Sequence, residues 1–116
     1  MLFESERFYL REFDANQDAQ VMYELNSDID VIKYTGDPPF NSVKHAHEMI
    51  SKYDHYRKYG YGRWAAIRKV DHVFVGWCGL KMNEDDILDI GYRFFKKYWG
   101  KGYATETANA LSLIHI

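Results

Sequence analysis

The chain has 116 residues, enough for one small domain, and 47% of them are hydrophobic, enough for a core. Its net charge of −2 argues against a general nucleic-acid-binding protein, which is normally basic. No apolar run approaches the roughly 20 residues of a membrane-spanning helix. We therefore expect neither nucleic acid nor a membrane as a partner.

The cysteine content and the N-terminal residues bear on the compartment. The only cysteine, Cys78, has no second cysteine with which to form an intramolecular disulfide, which is typical of a reducing compartment. The first ten residues, "MLFESERFYL", lack the basic n-region of a signal peptide. We expect a cytoplasmic protein.

The first predicted elements are a strand and a helix. "ERFYLREF", residues 6–13, alternates apolar and polar side chains and predicts a strand with one wet face. Asp14 followed by Gln17 matches a capping box for a helix over about residues 16–27. This helix would bury Val21, Met22 and Leu25.

A loop and a second helix follow. Pro38 and Pro39 break any helix, so "YTGDPPF", residues 34–40, is predicted to be a loop. Asn41 or Ser42 would cap a helix that continues to about Tyr59. Its apolar stripe is Val43, Ala46, Met49, Ile50 and Tyr53.

Three strands and a last helix complete the chain. The strands are predicted over residues 63–70, 72–80 and 87–95, joined by a tight hairpin at "VD" and a polar turn at "KMNEDD". The helix begins at about Gly102, with Ala104, Ala108 and Leu111 at helical spacing. The order β-α-α-β-β-β-α predicts an α/β fold with a mixed sheet and helices on its faces, in a single domain over residues 1–116.

The passage from the last strand into the last helix carries the main functional signal. Gly100 and Gly102 lie where the strand gives way to the helix, and glycine there permits unusual φ angles and close approach of a ligand. The free N–H groups and the dipole of a helix start favour a pyrophosphate. The spacing of a P-loop is absent, and Thr105 stands where a dinucleotide fingerprint needs its third glycine. Two interpretations of the glycine turn remain: an acyl-CoA site and a purely structural turn.

The longer stretch "IGYRFFKKYWGKGYATE", residues 90–106, resembles the central motif of the GNAT superfamily of acyl-CoA N-acyltransferases. It is most similar to the branch that includes ribosomal-protein N-terminal acetyltransferases. The superfamily pattern is Arg/Gln-x-x-Gly-x-Gly/Ala; Gly100 and Gly102 match it, while Lys97 stands at the Arg/Gln position. "ERFYLREF" and "WAAIRKVDHVFVGWCGLKM" resemble the first strand and the central hairpin of that branch, so the likeness runs from about residue 6 to residue 111.

The resemblance implies a GNAT fold and acetyl-CoA as co-substrate. In the family, the strand before the turn splays from its neighbour, and the pantetheine arm pairs with the strand backbone. The resemblance thus places the pantetheine at Phe94, Phe95 and Lys96. The pyrophosphate would be held by Lys97, Gly100, Lys101, Gly102, Tyr103, Ala104 and Thr105, and Trp99 would pack beneath the turn.

The implied reaction is direct attack of a primary amine on the thioester, which needs a base for the amine proton and an acid for the leaving thiolate. Asp89 stands where the branch often has an acidic residue; a solvated strand carboxylate is the equal alternative. Tyr34, Pro38, Pro39 and Phe40 would line the entrance for the amine, either a protein N-terminus or a small molecule.

Other candidate sites are weaker. His45 and His47 are two residues apart on a helix and point to different faces, and "HEMIS" has Ser51 where a zinc-protease helix needs its second histidine. We expect no metal cofactor. Cys78, in an apolar strand, is predicted to be a core residue.

Relatives of the branch continue beyond the last helix with further strands, so the sequence predicts a C-terminally truncated domain. The strand over residues 87–95 would then be a sheet edge with Leu88, Ile90, Tyr92 and Phe94 lacking a neighbour, and such an edge favours homodimerisation. The alternative to an active enzyme is therefore a non-catalytic remnant, or a CoA-binding module that a partner chain completes.

Overall fold

The computed structural model describes residues 3–32, 39–59, 61–82, 85 and 88–114. The chain divides into two compact units. One comprises Met1–Glu12 together with His55–Ile116, and the other comprises Phe13–Asp54. The first unit contains the sheet and the last helix, and the second is helical.

The sheet has five strands in the order β1-β2-β3-β4-β5, and every neighbouring pair is antiparallel. Their bounds are β1 Phe3–Glu4, β2 Phe8–Arg11, β3 Arg63–Arg68, β4 Val73–Met82 and β5 Leu88–Phe94. The expected α/β fold and the antiparallel pairing of the three later strands are confirmed. The two-residue strand β1 was not predicted, because so short a segment has no readable alternation.

The β3–β4 hairpin explains why β3 ends two residues earlier than predicted. The backbone N–H of His72 donates to the Arg68 carbonyl at 2.8 Å, and His72 adopts a positive φ of 58°. Nε and Nη2 of Arg68 donate to the two carboxylate oxygens of Asp71, at 3.0 and 2.6 Å. The turn thus occupies residues 69–72 around the predicted "VD".

The core of this unit lies between the sheet and the last helix, α5, which spans Tyr103–Ile114. The helix begins directly after Gly102, as predicted. Thr107 is fully buried, and its hydroxyl donates to the Tyr103 carbonyl at 2.9 Å, which satisfies a polar group inside the core. The buried cluster comprises Phe3, Phe8, Leu10, Trp64, Ala66, Val75, Cys78, Leu80, Phe94, Tyr103 and Leu111. Cys78 is therefore a core residue, as expected.

In the helical unit, α1 spans Ala15–Leu25 and begins at the predicted cap. The Asp14 carboxylate accepts from the backbone N–H of Asn16 and Gln17 at 2.8 and 3.1 Å. In a capping box the Gln17 side chain would accept from the backbone N–H of Asp14. In the structure the Asp18 carboxylate accepts from that N–H at 2.8 Å, so this part of the capping-box prediction is wrong. Met22 and Leu25 are buried and Val21 is half-buried.

The predicted long second helix is two helices. The first, α3, spans Val43–Ser51 and is capped by the Ser42 hydroxyl, and α4 spans His55–Tyr59. The backbone N–H of Tyr53 donates to the Ile50 carbonyl, a tight final turn that ends α3, and the boundary between the units follows at Asp54. Ala46 and Ile50 are buried, whereas Met49 is 50% exposed. A further one-turn helix, α2 at Ile29–Ile32, was not predicted.

None of the helices in the described residues is long and apolar enough to span a bilayer.

Candidate functional site

The site is built where β5 turns into α5. After Phe94, residues Lys96–Tyr98 form a single 3₁₀ turn, which the sequence did not predict. Gly100 and Gly102 then adopt φ angles of 80° and 77°, and α5 begins at Tyr103. Residues that carry a Cβ rarely adopt such φ angles, because the Cβ meets the backbone. Glycine at both positions therefore allows the chain to turn into the helix within two residues.

The two glycines are loosely surrounded. Among the described residues, a Cβ built on Gly100 would meet no atom within 4 Å, and one built on Gly102 would meet Arg7 Nη2 at 3.7 Å. The backbone N–H of Glu106 donates to the Gly102 carbonyl at 3.0 Å and is the first intrahelical hydrogen bond. The N–H groups of Tyr103, Ala104 and Thr105 precede it and have no carbonyl of the helix to pair with.

A cleft of about 430 Å³ lies over this turn. Both glycines line it together with two exposed aromatic residues: Tyr92 is 58% exposed and Trp99 is 50% exposed. Its lining among the described residues is Tyr92, Phe94, Tyr98, Trp99, Gly100, Gly102, Tyr103, Ala104 and Thr105.

Six of the ten residues assigned to the cofactor from the sequence line this cleft. The three lysines, Lys96, Lys97 and Lys101, are exposed, and the Lys97 ammonium lies 5.1 Å from the centre of the ring of Tyr98, which lines the cleft. Phe95 is half-buried, and its N–H donates to the Val75 carbonyl at 3.2 Å, so its backbone belongs to the sheet.

The position of Trp99 differs from the predicted one. It does not pack beneath the turn but stands half-exposed beside the cleft. Its indole N–H donates to the Phe94 carbonyl at 3.0 Å, which ties the turn to the end of β5.

The side chain of Tyr103 is committed to the structure rather than to a ligand. It is buried, its ring meets the Phe8 ring edge-on at 4.8 Å, and its hydroxyl accepts from Arg68 Nη1 at 3.2 Å. The bonds to Asp71 and to Tyr103 raise the pKa of Arg68 above its ordinary value. The side chain of Tyr103 is therefore part of the core, and its backbone N–H at the start of the helix is the group that suits a ligand there.

Asp89 lies on β5 and is exposed. It shares a face of the strand with Gly91 and Arg93, as the alternation predicts. On that face the Trp77 ring lies between two guanidinium groups, 4.4 Å from that of Arg63 and 5.4 Å from that of Arg93. Asp89 is exposed, whereas Trp77 and Arg93 on the same face are buried.

The residues assigned to the substrate entrance are only partly described. Tyr34 and Pro38 lie outside the described residues. Pro39 is exposed, and the half-buried Phe40 meets the His45 ring edge-on at 5.2 Å. Among the described residues, no three His, Cys, Asp or Glu side chains form a group that would hold a metal ion.

Sequence reasoning missed a polar network behind the turn. The Glu106 carboxylate accepts hydrogen bonds from Ser5 and Arg7, whose segment connects β1 to β2. Burial opposes ionisation of Glu106, but these hydrogen bonds outweigh it and hold its pKa below its ordinary value. The available signal was Glu106 itself, an acidic residue in the first turn of a helix.

With this geometry established, comparison with known proteins identifies the family. Residues 7–114 match the sequence pattern of the family described as the acetyltransferase (GNAT) domain. The chain belongs to the GNAT acetyltransferase family. The resemblance of the strand–glycine–helix motif to this family is thereby confirmed.

Individual relatives agree. The chain is 34% identical to the "Uncharacterized N-acetyltransferase p20" of Bacillus licheniformis over 110 residues, which cover 92% of this chain and 61% of that protein. A solved structure, the GNAT-family acetyltransferase from Bacillus anthracis, superposes with a TM-score of 0.77 at 28% identity, covering 96% of this chain and 63% of that one.

A second structure, of a proposed ribosomal-protein-serine acetyltransferase from Vibrio cholerae, has a TM-score of 0.77 at 17% identity and covers 98% of this chain and 66% of that one. At this identity the likeness concerns the fold alone. The chain spans about three fifths of the length of the curated relatives it matches.

Proposed function

We propose that this chain carries the acetyl-CoA site of an N-acetyltransferase that moves an acetyl group from acetyl-CoA to a primary amine. One observation carries the proposal. Two positive-φ glycines, Gly100 and Gly102, precede a 12-residue helix and line a cleft of about 430 Å³. Such a backbone concavity suits a pyrophosphate.

The residues of the turn fit the phosphate end of acetyl-CoA. The N–H groups of Tyr103, Ala104 and Thr105 converge at the helix start, where the helix dipole adds positive potential. In the described part of the chain, no side chain lies within 4 Å of a Cβ built on Gly100. Lys96, Lys97 and Lys101 are exposed nearby and would add long-range attraction rather than a fixed geometry.

The edge of β5 fits the pantetheine arm, which carries two amide groups. The N–H of Phe95 points to β4, because it donates to Val75. Backbone groups alternate in direction along an antiparallel strand, so the N–H and C=O of Tyr92 point to the opposite side, the edge of the sheet. Tyr92 also lines the cleft. Its backbone is therefore the hydrogen-bonding site for an extended ligand.

In the proposed reaction an amide C–N bond forms and the thioester C–S bond breaks. The amine loses one proton, and the leaving thiolate gains one. We assign Asp89 as the group that accepts the amine proton, because it is an exposed carboxylate on the strand that borders the cleft. Backbone N–H groups at the strand edge would stabilise the charge that develops on the carbonyl oxygen.

For the acceptor we propose the amine of a protein N-terminus or of a small molecule. Tyr34 and Phe40 are the proposed entrance residues. The Vibrio cholerae structure supports the fold of such an enzyme rather than a ribosomal acceptor.

A second candidate function is a CoA-binding module that a partner chain completes. It is favoured by the position of β5 at the end of the sheet, where Ile90 and Tyr92 are 39% and 58% exposed. A strand added there would cover these side chains and pair with the free edge.

Calorimetry of acetyl-CoA binding tests the proposed site. Gly102→Val should weaken binding by a factor of about 30 or more, because strain at a positive φ and a blocked phosphate contact together cost about 2 kcal/mol. Lys101→Ala, the adjacent control, should weaken it only about two- to fivefold, since one exposed charge contributes at most about 1 kcal/mol. Equal effects would contradict a backbone cradle.

Thiol release with a panel of primary amines distinguishes the two functions. Turnover that Asp89→Asn abolishes would support the enzyme. Binding of acetyl-CoA without turnover, with dimers in ultracentrifugation, would favour the module.

A further inference from the structure

The Glu106 carboxylate joins the start of α5 to the segment between β1 and β2. Ser5 Oγ donates to it at 2.5 Å, the backbone N–H of Arg7 at 2.8 Å and Arg7 Nε at 2.5 Å. Its side chain is 17% exposed, so the three donors replace most of its hydration. Hydrogen bonds to an ionised acceptor are roughly twice as strong as neutral ones.

Arg7 extends this connection to the glycine turn. Its Nη1 donates to the Lys101 carbonyl at 3.3 Å, and its guanidinium lies 4.8 Å from the centre of the Tyr103 ring. Its Nη2 is the atom that would stand 3.7 Å from a Cβ on Gly102. A single side chain therefore contacts Lys101 and Tyr103, the residues on either side of Gly102, and its bond to Glu106 fixes its orientation.

The negative charge of Glu106 is unexpected beside a proposed phosphate site. A carboxylate in the first turn of α5 lowers the positive potential there, so by Coulomb's law alone it should repel a phosphate. Glu106 is not among the described residues that line the cleft, and its carboxylate instead accepts from donors of the β1–β2 segment. Its effect on an anionic ligand would then come from the geometry it imposes rather than from its charge.

We propose that Glu106 is a positioning residue that holds Arg7, and through Arg7 the Lys101–Tyr103 turn, in the conformation that receives the pyrophosphate. This inference rests on the proposed acetyl-CoA site. It makes Arg7 a support for the turn rather than a ligand.

Binding of CoA to Glu106→Gln gives a test in which charge and geometry predict opposite results. Loss of the ionised acceptor should weaken binding about tenfold if Glu106 positions the turn. Removal of a negative charge alone should tighten it. The control is Glu6→Gln, which removes the same charge from an exposed residue beside Arg7 and should change affinity less than twofold. Unchanged or tighter binding by Glu106→Gln would overturn the proposal.

Two Arg7 variants separate support from attraction. Arg7→Lys keeps the charge but loses the fork that reaches both Glu106 and Lys101, whereas Arg7→Met loses both. If Arg7 acts through geometry, both variants should weaken CoA binding by similar factors, about tenfold. If Arg7→Lys binds as the wild type does, Arg7 acts by charge and the proposal is wrong.

Amide hydrogen exchange without ligand tests the positioning itself. In Glu106→Gln, the amide of residue 106, which donates to the Gly102 carbonyl at 3.0 Å in the wild type, should exchange about tenfold faster, while those of Ala110 and Leu111 in the same helix should be unchanged. Equal acceleration throughout the chain, or none at the turn, would refute a local role. Failure of the wild-type chain to bind CoA would instead defeat the proposed site, and the exchange result would still decide whether Glu106 fixes the turn.

Discussion

Gly76 lies opposite Phe94, at the point where β5 ends and the cleft begins. A Cβ built on Gly76 would stand 2.2 Å from the Arg93 carbonyl oxygen and 2.7 Å from the Phe94 Cα. Since real Cβ atoms do not approach other atoms within 3.0 Å, Gly76→Ala must move the end of β5 by at least 0.8 Å. Both of these atoms belong to the backbone, so no side-chain rotation relieves the contact.

We expect Gly76→Ala to lower the free energy of unfolding by about 3 kcal/mol, at the upper end of the cost of overpacking, because the clash involves backbone. Urea unfolding followed by circular dichroism measures this. Gly91→Ala is the matched control on the neighbouring strand, where the nearest atom would be Trp77 Cζ3 at 4.0 Å. It should change stability by no more than about 0.5 kcal/mol.

A second control separates stability from binding. A Cβ on Gly79 would meet the Gly62 carbonyl oxygen and the Arg63 Cα at 2.6 Å, on the β3 side and away from the cleft. Under conditions where both variants remain folded, Gly76→Ala should lose acetyl-CoA affinity and Gly79→Ala should keep it. If the free energy of unfolding of Gly76→Ala is within about 0.5 kcal/mol of the wild-type value, β4 does not pack against β5 as closely as the structure indicates.

Three further predictions concern single groups. The pKa of Glu106 is lower in the folded state than its ordinary value of 4.5, so its stabilisation is present above about pH 4.5 and is lost as pH falls through the lower folded pKa. The stability difference between the wild type and Glu106→Gln, measured by urea unfolding, should therefore shrink below pH 4.5. Burial raises the pKa of Cys78 from 9.0 to about 11, so iodoacetamide should modify the native thiol at least about 100-fold more slowly than the unfolded one; equal rates would show that the thiol is accessible. Asp14→Ala should cost about 1 kcal/mol by thermal unfolding, as loss of an N-cap does, while Asp14→Asn should cost less.

Local patterns allowed most of the sheet unit to be predicted. The alternation in residues 6–13 and the apolar runs of the later strands identified β2 to β5, and glycine after a strand identified the start of α5. Each of these signals lies within about ten residues, where steric and hydrogen-bonding preferences act directly. The predicted phosphate-binding residues were local in the same sense, because a backbone cradle needs only a turn and a helix start.

The break between α3 and α4 was not predictable in that way. The apolar stripe continued through Tyr53, so a single helix satisfied the local pattern. In the structure, the Tyr53 ring meets the Phe13 ring at 6.0 Å, 40 positions earlier in the chain, while Tyr56 meets the Trp64 ring at 5.9 Å. Each tyrosine thus packs inside a different unit, and tertiary packing overrode helix propensity.

Glu106 shows the same limit at the site itself. Considered locally, an acidic residue in the first turn of a helix stabilises the helix dipole and remains hydrated. Its partners Ser5 and Arg7 are 101 and 99 positions away, and no periodicity connects them to it. Once the sheet brings the β1–β2 segment beside α5, the carboxylate exchanges water for three protein donors, and Arg7 becomes fixed against Lys101 and Tyr103. A motif that is short in sequence can therefore depend on a distant strand for its shape, and substitutions in that strand should alter ligand binding at the glycine turn without contacting the ligand.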